Sequence, residues 1–367
     1  MMLANRLVVA YQTAHSPMHR LIHRTVRRGS WRSKMVVALF AVLLSAAASI
    51  GIANDIVWYH ADAGSDKETR RAGTIQSYDN NGLVLRTLGG REITIPVDQV
   101  VRFEYPKSKM HQDADQAAAL EDFAAARLYY RNALRADKEK RAWVRTQLTA
   151  KAMECRQALG DYKRAGDLFV NLARRDADRV FLDKMPLAWT SSASVAERVA
   201  KGWLEDSDRA SVQLLAASHM KRSPSREQAL AILRKLAKGS DTEIALLASC
   251  QLWQTQIPTA TDDDVKRWAR TIEKLPERLR SGPYFVVGRG QAVRKQHQAA
   301  ALTMMRVPIL FPRQKDIAAE ALLYAGSSLS SIGQKEEATR VLRELVAGYP
   351  DSYAAKEAKQ RLEKLGE

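Results

Sequence analysis

Residues 319–352 read AEALLYAGSSLSSIGQKEEATRVLRELVAGYPDS. Counted from Ala319, Leu322, Gly326 and Leu329 fall at places 4, 8 and 11, and Ala338, Leu342, Leu345 and Pro350 at places 20, 24, 27 and 32. Apolar residues recur at the helical period on both sides of Gly333, so the stretch reads as two amphipathic helices joined by a turn. Gly333 ends the first helix and Pro350 stops the second. Gly326 and Ala338 are small where the two helices cross, which lets the backbones approach. Leu322, Leu329, Leu342 and Leu345 fill the seam.

The same register returns upstream. In 281–314, Gly288 stands at place 8, Ala300 at 20, Met304 at 24, Val307 at 27 and Pro312 at 32. From Ala210, Ala217, Ala229, Leu233 and Leu236 repeat it, with Ser223, Pro224 and Ser225 as turn and helix start. Gly160-Asp161-Tyr162 leads to Ala165, Phe169 and Leu172, although Met153 takes the small-residue place before it. Leu120 to Leu134 looks like the second half of a repeat. Residues 242–279 form a weaker pair, its second helix opened by Thr261 and the acids Asp262, Asp263 and Asp264 and broken by Pro276. Residues 353–365 read as a solvating cap helix. The spacing resembles the tetratricopeptide repeat, a helix–turn–helix unit of about 34 residues. The resemblance covers roughly 250 residues in five or six repeats, and implies a mainly α, TPR-like solenoid over 106–367.

Toward the N-terminus the composition changes. The chain has 367 residues and a formal net charge of +17. Residues 1–34 carry seven bases and no acid, so the remainder holds 51 bases against 41 acids, a net +10. That balance fits a solvated surface of mixed sign, and nucleic acid is not expected as a partner. Residues 35–53, MVVALFAVLLSAAASIGIA, are uncharged throughout. Behind a basic stretch, such a run reads as a signal peptide or transmembrane anchor. The expectation is an exported chain, membrane-anchored or periplasmic, with residues after 54 outside the cytoplasm.

Residues 54–68 read as a polar tether. From 69 to 105 the period drops to two, in GTIQSY, GLVLRTL and REITIPVDQVVRFEY, with turn signals at 79–82 and 89–90. The layout resembles small SH3-like or Sm-like barrels. It is thin for an independent core, so it should pack on a neighbour or pair with another chain.

A search for chemistry finds no GxSxG, Walker, HExxH or zinc spacing, so no enzyme activity, cofactor or metal is expected. Cys155 and Cys250 read as small buried residues. Segment 176–207, with Pro186 and two bulky apolar clusters, breaks the repeat pattern; it is a loop tucked over the array or a divergent helix pair. The resemblance to tetratricopeptide arrays implies peptide binding on a concave face lined by first-helix places 2, 5, 9 and 12. Those places include Gln157, Ser218, Lys221, Gly282, Phe285, Arg289 and Glu320. Lys221, Phe285 and Arg289 are the candidate protein-binding residues. The ending from Gly348 to Ala355 resembles repeat proteins of bacterial outer-membrane assembly. The expectation is a non-catalytic scaffold with protein partners. The alternatives are a cell-wall-active enzyme with a helical superstructure, and a basic nucleic-acid-binding repeat protein.

Overall fold

A computed structural model describes residues 55–62, 67–136 and 139–366. The basic region 1–34 and the apolar run 35–53 lie outside the described residues. Among the described residues, no helix is long and apolar enough to cross a membrane.

The chain enters through five antiparallel strands: β1 (Asp55–His60), β2 (Glu68–Asp79), β3 (Gly82–Thr87), β4 (Glu92–Ile95) and β5 (Val100–Glu104). Their order in the sheet is β4-β3-β2-β1-β5. A single 3-10 turn, Val97–Gln99, carries the chain from one sheet edge to the other. The β2–β3 turn follows its residues: the Asn81 amide donates to Asp79 Oδ1 at 2.9 Å, and Gly82 takes φ +120°. A side chain at Gly82 would meet the Ile95 carbonyl at 2.5 Å.

Residues 55–60, read above as part of a tether, are strand β1 instead. Asp55 opens it with a carboxylate that is 4 % exposed and accepts the Ile75 amide at 2.8 Å, so a polar residue begins a central strand. The sheet lacks a core of its own. Val57, Ile75, Leu83, Leu85 and Ile95 share one apolar cluster with Tyr130, Trp143, Val144 and Leu148 of the helices that follow. Trp143 Nε1 donates to the Ile75 carbonyl at 3.0 Å, and so ties helix to sheet.

Fourteen α-helices follow among the described residues. The first seven are α1 (Lys109–Ala119), α2 (Phe123–Arg135), α3 (Ala142–Ala158), α4 (Tyr162–Ala173), α5 (Glu197–Asp206), α6 (Ala210–Met220) and α7 (Arg226–Leu236). The rest are α8 (Thr242–Gln256), α9 (Asp262–Ile272), α10 (Ser281–Val293), α11 (His297–Leu310), α12 (Lys315–Ser331), α13 (Lys335–Gly348) and α14 (Tyr353–Leu365). Local chemistry sets their ends. Asp122, Asp161, Asp241 and Ser352 accept backbone amides as N-caps, and Thr261 with Asp264 forms a capping box. Gly160 and Gly333 turn the chain with φ +72° and +80°.

Successive helices pack as antiparallel pairs, the arrangement of a helical repeat. The small residues sit where helices cross. A methyl on Gly326 would lie 2.8 Å from the Leu342 side chain, and one on Gly288 would lie 2.9 Å from Met304. Helix α3 is buried on two sides and separates the sheet-side cluster from a larger core running to α14. The start of α12 also touches the first helices and α4. Lys315 Nζ lies 2.7 Å from Glu121 Oε2 and 4.9 Å from the Phe123 ring, and the Tyr162 hydroxyl donates to Asp316.

Candidate functional site

Between α4 and α5 the chain leaves the repeat pattern and runs across α3, α6 and α8. Residues 177–190 are almost all buried, including Phe181, Leu182, Met185, Leu187 and Trp189. They are apolar enough to displace water from the array interior, and Pro186 keeps the strand extended and out of any helix. We call residues 184–189 the strap.

The wall grips the strap by its main chain. Gln157 Nε2 donates to the Lys184 carbonyl at 2.7 Å, and His219 Nε2 lies 2.8 Å from the Pro186 carbonyl. The Ala188 amide donates to Ser218 Oγ at 3.1 Å, and Lys221 Nζ donates to the Ala188 carbonyl at 3.2 Å. Gln254 Nε2 donates to the Trp189 carbonyl. These are side-chain bonds from α3, α6 and α8 to backbone groups that would otherwise be buried without partners. The Trp189 indole fits closely over Gly282; a methyl there would sit 2.0 Å from its Cε2.

The strap's entry is pinned by Asp178, which is 4 % exposed. Its carboxylate takes Asn80 Nδ2 at 2.8 Å, Ser211 Oγ at 2.5 Å and Arg209 Nη1 at 3.2 Å. Asn80 also accepts from the Arg179 amide at 2.9 Å. The β2–β3 turn is thereby sewn to the start of the inserted segment and to the first turn of α6.

The three residues singled out by their places lie as follows. Lys221 is buried beneath the strap, 5 % exposed, with Gln251 Oε1 and Gln254 Oε1 as its other acceptors. Three oxygens thus take the three N–H bonds of an ammonium. Burial, with Arg222 and Arg289 nearby, pushes its pKa well below the usual lysine value. Phe285 is fully buried in the core. Arg289 lies half-buried across the rings of Phe285 and Tyr324, with centroids 5.9 and 5.5 Å away. Lys221 and Phe285 are therefore buried, while Arg289 keeps partial exposure.

Beside the strap lies a cavity of 740 Å³, bounded by the α11–α12 loop and the ends of α1 and α3. Its charges are mostly matched within the wall. Asp115 accepts from Lys107 at 2.7 Å, Lys151 at 2.5 Å and the Tyr130 hydroxyl at 2.7 Å. Burial pushes its carboxyl up, but these three donors more than offset that and hold it below the usual range. Lys184 pairs with Glu154. Burial drives the His111 imidazole down to about 4. Glu320 is pushed up to about 7 by burial, against the pull of Arg289 and Arg222, with Asp316 adding to the rise. Among the described residues, no group of three or more His, Cys, Asp or Glu is placed to hold a metal ion. Cys155 and Cys250 are both buried and unbridged.

Place-based reading found Gln157, Ser218, Lys221 and Gly282 as a lining. It did not find what fills it, nor His219 and Gln254. The available signal was the apolar run at 181–189 with its Pro186, facing a glycine at 282.

No family model matches this chain, and no curated protein does. Among solved structures, the chain is similar to the assembly chaperone of RpL4 (Acl4), residues 1–338, at 15 % identity. The match covers 70 % of this chain and 96 % of that one, with a TM-score of 0.29. A score that low carries no shared arrangement, so the helical pairing described above stands on this chain's own packing.

Proposed function

We propose that this chain is a non-catalytic scaffold, built to hold extended polypeptide on its concave face. What supports the reading is the set of side-chain to main-chain bonds around the strap. A wall that satisfies backbone carbonyls and amides, and uses one aromatic slot for register, binds a chain largely without regard to its sequence. The strap occupies the wall between α3 and α8. A partner segment would take the part that it leaves open, toward α10 and α12.

The site of action we propose is outside the cytoplasm, with 35–53 as signal or anchor. The sheet, with its 3-10 turn before the last strand, suits an SH3-like docking module that is cemented to the first helices. Affinity capture from solubilised membranes with the full-length chain tests the scaffold reading. Specific proteins should enrich over an unrelated exported control, and an empty capture would count against it. Cell fractionation tests the location: recovery with cytoplasmic markers overturns it.

A further inference from the structure

The cavity beside the strap is lined by both signs of charge, and four of its five bases are committed to acids. Lys151 goes to Asp115, Lys184 to Glu154, Arg278 to Glu243 and Lys315 to Glu121. The fifth, Arg313, is exposed. The acids of the wall are served in the same way, with one exception. Asp115 and Glu154 take those lysines, Asp183 lies 3.7 Å from Lys184 Nζ, and Glu277 is exposed to water. Asp316 is half-buried, and among the described residues no base lies within ion-pair distance of it; what it accepts is the Tyr162 hydroxyl. Burial pushes its carboxyl up, and the Tyr162 bond offsets only part of that. Glu320, one turn on along α12, draws Arg289 and Arg222, whereas Asp316 draws neither.

The groups around Asp316 form one continuous patch of the cavity wall. The Ser281 hydroxyl donates to Gln314 Oε1 at 2.6 Å, and Gly282, next in the chain, seats the Trp189 indole. Tyr162, Trp189, Ser281, Gln314 and Asp316 all line the cavity. Aromatic rings carry negative π-faces, so a carboxylate walled by Tyr162 and Trp189 favours a cation over an anion. A carboxylate held out of water without a counter-charge is costly, and a cation that enters relieves it.

We propose that Asp316, walled by Tyr162 and Trp189, forms a cation subsite that takes the ammonium of a lysine side chain from a partner polypeptide. This rests on the scaffold reading above and names the chemistry of its open part, because Ser281 opens α10 and Asp316 lies in the first turn of α12. Lysine is favoured over arginine because Asp316 already accepts the Tyr162 hydroxyl, which leaves no free carboxylate for a two-pronged guanidinium. A polypeptide is favoured over a free polyamine on two grounds. A polyamine needs an acid for each of its charges, and the other half-buried acids of the wall are taken. Leu182, Met185 and Leu187 of the same wall offer an apolar surface to a lysine stem and its neighbours.

The test is fluorescence anisotropy with the full-length chain in detergent. The probes are a labelled Lys-Ala peptide and its acetyl-lysine counterpart, with spermidine as competitor. The Lys-Ala peptide should bind and weaken as salt rises, and acetylation or Asp316→Asn should each cost roughly tenfold in affinity. Glu277→Gln removes an exposed acid of the same cavity and should leave the affinity unchanged. Asparagine keeps an acceptor for Tyr162 and removes an unmatched charge, so Asp316→Asn should melt no lower than the wild type. Equal binding of the two peptides, unchanged affinity in Asp316→Asn, or a lowered melting point in that variant would overturn the proposal. So would displacement by spermidine at the concentration where the peptide itself binds. Partners captured equally by the wild type and Asp316→Asn would leave the scaffold standing and remove the subsite. An empty capture with Asp316-dependent Lys-Ala binding would do the reverse.

Discussion

Gly282→Ala is the sharpest probe of the strap. Gly282 is the second residue of α10, and an added methyl would lie 2.0 Å from Trp189 Cε2 and 2.1 Å from Cδ2. No atom pair tolerates that approach, so the indole or the helix must move. Trp189 is 6 % exposed and its carbonyl is held by Gln254, which confines the ring to its slot. Overpacking of this kind costs about 1–3 kcal/mol, and confinement places this case near the top. Alanine's better helix propensity returns less than about 1 kcal/mol at a first-turn position, so the net loss should be about 2 kcal/mol. Trp189→Ala alone should cost about 3–5 kcal/mol, because it empties the slot. In that background Gly282→Ala should become neutral or slightly stabilising, which gives a coupling of about 2–3 kcal/mol. Urea unfolding followed by far-UV circular dichroism on the wild type, both single variants and the double variant reads the cycle. An equal cost of Gly282→Ala in both backgrounds would show that the slot is not the cause.

Two further outcomes follow from buried polar groups. Lys221→Met removes the donor shared by Ala188 O, Gln251 Oε1 and Gln254 Oε1, and should cost about 3 kcal/mol in the same urea assay; an unchanged midpoint would mean that burying the ammonium costs as much as its bonds return. The second concerns pH. Burial holds the His219 and His111 rings down at about 4, against an ordinary value of 6.5, so the unfolded chain takes up protons first and stability is lost as pH falls from 6.5 toward 4. Glu320 has the opposite sign, because its folded carboxyl titrates near 7 against 4.5, so its contribution is lost as pH rises through that window. His219→Gln should therefore flatten the acid side of a urea-midpoint profile, and Glu320→Gln should steepen it. Parallel profiles for all three proteins would contradict both assignments.

The helical pairs were legible because small residues recur at a fixed register. Gly326 and Gly288 are places where a side chain would block a crossing, and such places cannot drift. Caps were equally plain: Gly160-Asp161-Tyr162 and Thr261 to Asp264 are short-range devices whose chemistry is written in adjacent residues. Strand β1 was not legible, because Asp55 looks like the start of a polar tether until its carboxylate is seen to accept the Ile75 amide across the sheet. The strap was half legible. Its bulky residues and Pro186 marked segment 176–207 as irregular, but its partners lie some 30 residues or more away, on α6, α8 and α10. A place-based reading counts within one repeat and cannot show that another segment lies across the lining it finds.

Hydrogen exchange across 184–190 in the full-length chain bears most directly on the claim that α3, α6 and α8 hold the strap as a fixed part of the fold. The Ala188 amide, bonded to Ser218 Oγ, should exchange as slowly as the core amides of α6, and Lys221→Met should release it. Exchange at the rate of an exposed loop in the wild-type chain would show a strap that does not stay in the groove.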